Sequence, residues 1–239
     1  MKYNIATVSN ESYSPFLRIF LKSLFDNADT DDLRSVLVFD TGLSEQSKRE
    51  LSISEKVQFV PTGVNSESNK IHDDGWKKST YLKIELLYSS IKSTNEPSFM
   101  IDVDSVFQSP FEDLIDWDVD FVCCLRARQR AESSHIGSFF GGVRAANSLL
   151  FLKIWSQQMY IINNDPNHPF PTAESPALTK TLSNFSEFFS FQEVKEEEVS
   201  CINENPSANI YHLKSDSYAL TVEDRINLKY ANHVVKKYV

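Results

Sequence analysis

Apolar residues in the first half of the chain follow two patterns in turn. Short β-branched and apolar runs at 4–8 (NIATV), 36–40 (VLVFD), 57–60 (VQFV), 99–104 (FMIDVD) and 121–125 (FVCCL) have the length and composition of buried strands. Helical periodicity separates them. In 14–28 (SPFLRIFLKSLFDNA), Pro15 takes a permitted first-turn position, and Leu17, Phe20, Leu21, Leu24 and Phe25 share a face. A short helix is expected over 44–51. After a polar loop at 61–74 another is expected over 79–91 (STYLKIELLYSSI), starting near the cap residue Ser79. Strands and helices alternating in this way signal βαβ units, here an α/β core of four or five mostly parallel strands flanked by helices.

The second half is less regular. A Gly-containing turn at 139–143 (FFGGV), a helix over 145–161, a Pro/Asn-rich loop at 163–172, a helix over 175–182 and a last strand at 209–213 (NIYHL) precede a polar tail. No internal repeat and no Gly/Pro/Ser-rich linker divides the chain, so 1–239 reads as one domain with a smaller peripheral subregion.

Composition narrows the function classes. A 41% hydrophobic and 12% aromatic content over 239 residues suits a folded core that needs no disulfide. The net charge of −9, with scattered Lys and Arg, argues against a nucleic-acid partner, because binding a polyanion requires a basic stripe. The acidic run 195–198 reads as a solvated patch. Cys123, Cys124 and Cys201 form neither a disulfide framework nor a zinc spacing. No run approaches the roughly eighteen apolar residues of a membrane helix, and the start of the chain is too polar for a signal peptide. The expected location is therefore the cytoplasm, with no integral membrane segment.

The segment 98–111 (SFMIDVDSVFQSPF) carries the clearest chemistry. In an extended strand Asp102 and Asp104 would project to one side, about 6.6 to 6.8 Å apart. Two carboxylates at the carboxyl end of a strand make a hard-oxygen site suited to Mg²⁺ or Mn²⁺, where open α/β sheets collect their ligands. The alternative is a solvated strand end whose carboxylates cap the next turn.

Several further segments, in order, give the chain its family resemblance. IATVSNESY at 5–13, VFD at 38–40, STYLKIELLYSS at 79–90, FMIDVDSVFQSPFEDL at 99–114, FFGGVRAANSLLFLKIW at 139–155, TAESPALTKTL at 172–182 and NIYHLKS at 209–215 together resemble a nucleotide-sugar glycosyltransferase of the GT-A type. The resemblance spans about 3–215 and implies a Rossmann-like GT-A domain, with a nucleotide-binding half at about 1–125 and a sugar and acceptor half at about 126–239. It implies that Thr7, Asn10 and Tyr13 surround the base, that Asp40 lies near it, and that Lys83 faces the diphosphate. Asp102 and Asp104 would hold Mn²⁺ or Mg²⁺, which His212 can complete; Gly141 and Gly142 would line the sugar pocket. Glu174 would stand near the anomeric carbon, as general base in an inverting enzyme or as a donor-positioning group in a retaining one; with Asp104 it is the expected reacting centre.

The partners implied are a nucleotide-sugar donor, UDP- or GDP-linked, and a saccharide-like hydroxyl acceptor. The chain departs from the family pattern in three places: Gly141 stands where Asn is common, Glu174-Ser175 replaces Asp-Gln, and no glycine-and-lysine loop follows His212.

The residues also admit other roles. Glu174 can cap the helix that follows it, His212 can be a hydrogen-bonded interior residue, the Gly141-Gly142 pair can be a turn, and Trp76 and Trp155 can be packing residues. His72 and His135 fall in polar stretches and are expected at the surface. IDVDSV also fits the signature of haloacid-dehalogenase phosphatases, with Asp102 as nucleophile and Asp104 as acid/base, although that motif normally sits on a first strand. A catalytically inactive nucleotide-sugar-binding module is the third reading.

Overall fold

The computed structural model of the chain describes residues 1–64, 74–128, 133–165, 167, 174–214 and 221–239, with side chains from 80 onward in the second of these segments. His72 and the side chains of Trp76 and Ser79 lie outside the described residues; the helix expected to start near Ser79 starts at Asp74, so Ser79 lies inside it rather than at its cap.

Seven strands form one sheet: β1 (Tyr3–Ser9), β2 (Leu33–Asp40), β3 (Val57–Pro61), β4 (Ser98–Ile101), β6 (Phe121–Leu125), β7 (His135–Gly142) and β8 (Phe191–Lys195), in the order β3-β2-β1-β4-β7-β6-β8. All pairings are parallel except those of β7, which runs antiparallel to β4 and to β6. Helices cover both faces. Tyr3, Ile5, Val36 and Val38 point toward Leu17, Phe20, Leu21 and Leu24 of α1 (Ser14–Asn27) and Leu51 of α2 (Glu45–Leu51). Ala6, Leu37, Met100, Phe121 and Phe140 point the other way. They meet Ile84, Leu87 and Ile91 of α3 (Asp74–Thr94), Phe151 and Trp155 of α4 (Ala145–Asn163), and Ala177 and Leu178 of α5 (Glu174–Phe185). This is the expected α/β architecture, a mostly parallel sheet between helices, but with seven strands rather than four or five.

A third apolar cluster lies to one side. β5 (Ser105–Phe107) and β9 (Ile210–His212) pair as a two-stranded antiparallel ribbon. Val106, Tyr211 and Leu213 pack there with Phe16 and Ile19 of α1 and with Val234, Val235 and Tyr238 near the chain's end.

Four expectations are corrected. The 139–143 turn is the end of buried strand β7. A Cβ on Gly141 would come 2.2 Å from the Phe99 ring, and one on Gly142 would come 2.5 Å from Ile91. These glycines permit close packing on a strand rather than a reversal of the chain. The strand expected to run to residue 104 stops at Ile101, and a turn closed by Ser105 N–H donating to the Asp102 carbonyl (3.1 Å) carries both aspartates. His135 is buried on β7, not at the surface, bridging Thr179 (3.0 Å) and Glu193 (2.8 Å). The polar tail contains α7 (Val222–Ile226) and α8 (Asn232–Val235) and supplies core residues, because its few apolar side chains gather on one side of an otherwise charged segment. Strand β8 and the short helix α6 (Glu196–Val199) that follows it carried no clear apolar signal. Of the acidic run, Glu196 accepts from Ala127 N–H (2.8 Å) and Glu198 from Lys195 N–H (3.0 Å), so two of its carboxylates have structural partners.

Candidate functional site

The turn after β4 places Asp102 and Asp104 at the carboxyl edge of the sheet. The ladder extends one step past the strand, with Asp102 N–H donating to the Ser138 carbonyl on β7 (3.0 Å). Val103 between the aspartates packs into the first core cluster. The carboxylates therefore converge because the chain turns about an anchored valine, rather than through the two-residue period of a strand. His212 arrives by register: β9 pairs with β5 so that His212 sits opposite Ser105, and Leu213 N–H donates to the Asp104 carbonyl (2.8 Å).

One ligand atom each from Asp102, Asp104 and His212 lie within 4.8 Å of one another. His212 Nε2 is 3.1 Å from Asp104 Oδ1 and 3.8 Å from Asp102 Oδ2. Burial pushes the His212 imidazole down to about 4, so it is neutral at physiological pH and has a lone pair to offer. Two hard carboxylate oxygens and one imidazole nitrogen fit a divalent cation of the Mg²⁺ or Mn²⁺ type.

Cationic side chains flank the cluster. Lys83, on the face of α3 turned to β7, brings Nζ to 2.6 Å from Asp102 Oδ1, 3.2 Å from the Gly137 carbonyl and 3.4 Å from Glu174 Oε1. Burial works against the Lys83 charge, but Asp102 and Glu174 outweigh it and hold its pKa above the ordinary lysine value. Burial likewise opposes ionisation of Asp102, and Lys83 reverses this and holds the carboxyl below its usual range. Arg225 of α7 pairs with Asp104 Oδ2, donates to the Leu213 carbonyl (2.8 Å) and lies over the Phe16 ring at 4.6 Å.

Glu174 opens α5 with its side chain buried. Burial, with Asp102 adding to it and Lys83 opposing, pushes its carboxyl up to about 7. Trp155 is the packing residue expected, edge-on to Phe140, and its indole N–H also donates to the Glu174 carbonyl (3.1 Å). Gly137 makes room for the carboxylate: a Cβ there would lie 2.2 Å from Glu174 Cδ.

The remaining expected residues are distributed unevenly. Asn10 and Tyr13 follow β1 and Asp40 ends β2, all at the sheet edge that carries the cluster. Tyr13 is tied to the cluster through Arg225, whose guanidinium donates to its hydroxyl (3.4 Å). Asn10 accepts from Tyr13 N–H (3.2 Å) and Ser12 Oγ (2.7 Å). Asp40 accepts from the N–H groups of Gly42 (2.8 Å) and Leu43 (2.6 Å) and pairs with Lys48 (3.2 Å), so it shapes its own turn. Thr7 is buried on β1, its hydroxyl without a hydrogen-bond partner among the described residues. Gly141 and Gly142 end β7, four and five residues beyond Gly137, and the structure does not bring them to the cluster.

Sequence reasoning missed Gly137, Ser138, Ser200 and Arg225. Gly137-Ser138 stands just before the FFGG motif and was readable as an alternative register; Arg225 and Ser200 carried no signal, since each reaches the site only through distant packing.

No family model and no curated protein matches the chain in sequence. Among solved structures it resembles the galactosyltransferase LgtC in complex with donor and acceptor sugar analogues, with a TM-score of 0.61, 12% identity, and coverage of 97% of this chain and 96% of that one. It likewise resembles an active-site mutant of LgtC, with a TM-score of 0.60, 13% identity and 94% coverage of each chain. Likeness at this identity establishes the fold, which is GT-A.

Proposed function

We propose that this protein is a metal-dependent glycosyltransferase that moves a sugar from a nucleoside-diphosphate sugar, UDP- or GDP-linked, to a hydroxyl of a saccharide acceptor. The observation that carries the proposal is the convergence of Asp102, Asp104 and His212 at the carboxyl edge of a GT-A sheet, with Lys83 and Glu174 against them. The solved structures of like fold were determined on a galactosyltransferase, one of them with donor and acceptor sugar analogues bound, which supports the same reaction class.

A divalent cation, Mn²⁺ or Mg²⁺, held by Asp102, Asp104 and His212 would stabilise negative charge building on the leaving diphosphate. Lys83 is placed to share that work. On donor binding its ammonium can turn from Asp102 toward phosphate oxygens without leaving the site, since the Gly137 carbonyl anchors it. Asn10, Tyr13 and Asp40 belong to the edge where the nucleoside would lie, whereas Thr7 is buried within β1, two residues before its end.

Glu174 is the group that can hold or release a proton near neutral pH, because its pKa of about 7 matches the working range of a general base. In an inverting reaction it would take the proton of the acceptor hydroxyl; in a retaining one it would orient the donor sugar. The net charge of −9 poses no barrier to an anionic donor when a cation is bound at the site. No helix among the described residues is long and apolar enough to cross a membrane.

Thermal-shift measurements with UDP, GDP and p-nitrophenyl phosphate, each with and without Mn²⁺, test the reading. Stabilisation by a nucleoside diphosphate that requires Mn²⁺ and disappears in Asp104→Asn is the expected result. Release of p-nitrophenol that Asp102→Asn abolishes would overturn it in favour of a phosphatase.

A further inference from the structure

His212 reaches the cluster with one ring nitrogen, and its other nitrogen enters a buried chain of hydroxyls. His212 Nδ1 is 3.1 Å from Ser200 Oγ, and Ser200 Oγ is 2.7 Å from Ser138 Oγ. All three side chains are buried, Ser200 and Ser138 at 1% and 2% exposure. The three residues come from different parts of the chain. Ser138 lies on β7, where its carbonyl also receives the Asp102 N–H; Ser200 follows α6; His212 ends β9.

We propose that Ser200 and Ser138 are positioning residues that let His212 carry its proton on either ring nitrogen, and so allow the site to accept a divalent cation. The inference rests on the metal reading of Asp102, Asp104 and His212 given above. The physical argument is one of donors and acceptors. Without a cation, the 3.1 Å contact from Nε2 to a carboxylate oxygen of Asp104 is a hydrogen bond only if Nε2 carries the proton, because a carboxylate accepts and does not donate. Nδ1 then has a lone pair, and it accepts from the Ser200 hydroxyl, which accepts in turn from Ser138.

Ligation through Nε2 demands the opposite tautomer. One proton leaves Nε2 for water and one is taken up at Nδ1, so the ring stays neutral. Nδ1–H then donates to Ser200 Oγ. Ser200 rotates its own hydroxyl hydrogen toward Ser138 Oγ. A hydroxyl donates and accepts with equal ease, so the pair reverses direction without moving a heavy atom. A carbonyl or an amide N–H in place of Ser200 would satisfy only one of the two tautomers, and an alanine would leave Nδ1–H as a buried, unpartnered donor in the loaded state.

The test is a titration of the full chain with Mn²⁺ alone, followed by the electron paramagnetic resonance of the free ion. Ser200→Ala is expected to bind Mn²⁺ roughly ten-fold or more weakly than wild type, and Ser200→Thr, which keeps the hydroxyl, to recover to within about three-fold. Ser138→Ala, which removes only the outer hydroxyl, is expected to weaken binding by about three-fold, and it serves alone should Ser200→Ala fail to fold. Long-range proton–nitrogen NMR of the wild type should show His212 protonated at Nε2 in EDTA and at Nδ1 with Cd²⁺ as diamagnetic probe. Equal Mn²⁺ affinity in wild type and both alanine variants, with binding abolished by Asp104→Asn, would overturn the proposal and leave the metal site standing. Absence of Mn²⁺ binding by the wild type would overturn the metal reading and the proposal with it.

Discussion

Under the proposed function, Glu174 would serve chemistry at the expense of stability. Its pKa of about 7 in the fold exceeds the ordinary value of 4.5, so the fold favours the protonated form. The associated stability is complete below about pH 4.5 and is lost as pH rises through about 7. Glu174→Gln mimics the protonated carboxyl. Its melting temperature in EDTA should match wild type at pH 5 and exceed it by a few degrees at pH 8, while sugar transfer is lost. An unchanged difference between the two pH values would show that Glu174 ionises freely. Gly137 offers a complementary test. Its missing Cβ is the space that the Glu174 carboxyl fills, and that carboxyl is the end of a flexible side chain. Gly137→Ala should therefore displace Glu174 and lower kcat by about a hundred-fold. The melting temperature should stay within a few degrees of wild type. A large loss of stability with normal kcat would assign Gly137 to packing alone.

At the scale of elements, the site depends on three that meet only in the folded chain: the turn after β4, strand β7 running against its neighbours, and β9 paired to β5. The C-terminal segment supports the third. Tyr238 is buried against α1 and accepts a hydrogen bond from Asn27 (2.6 Å), while Arg225 of α7 reaches Asp104. Tyr238→Ala should destabilise the protein by roughly 3 kcal/mol through lost packing around the ring. Chemical denaturation should show this as a lower midpoint, with Mn²⁺ affinity of the folded protein within about two-fold of wild type. A midpoint equal to wild type would mean that the segment does not contribute to the fold's cooperativity.

At the scale of the molecule, seven strands with helices on both faces place Asn10, Asp40, Asp102 and Asp104 along one edge, at or just past the carboxyl ends of β1, β2 and β4, where α3, α5 and β9 bring Lys83, Glu174 and His212. The nucleotide and Mn²⁺ thermal-shift series reads the coupling of the whole edge rather than of any one residue. How much of this was legible beforehand follows from the range of the interactions. The alternation of VLVFD and FVCCL with the Leu/Phe face of 14–28 is local, and it identified strands, helices and the parallel sheet correctly. FFGG was misread because a glycine that admits a turn and a glycine that admits a neighbouring ring look the same in one dimension. The polar β8 and the charged tail were missed because each contributes only a few apolar side chains to packing set by distant partners.

The sequence by itself determined the α/β class and the Asp-x-Asp pair, because strand and helix periodicity and carboxylate spacing are short-range properties of the chain; Lys83, Glu174 and His212 were expected beside that pair only through the resemblance to GT-A glycosyltransferases. Only the tertiary structure decided that those five side chains meet. Residues 83, 102, 104, 174 and 212 are brought within ion-pair or hydrogen-bond reach by pairings that span up to 108 positions, as between Asp104 and His212. It also decided the Ser138–Ser200 chain behind His212 and the Arg225 contact on Asp104, since burial and hydrogen-bond geometry exist only once the distant segments are packed together.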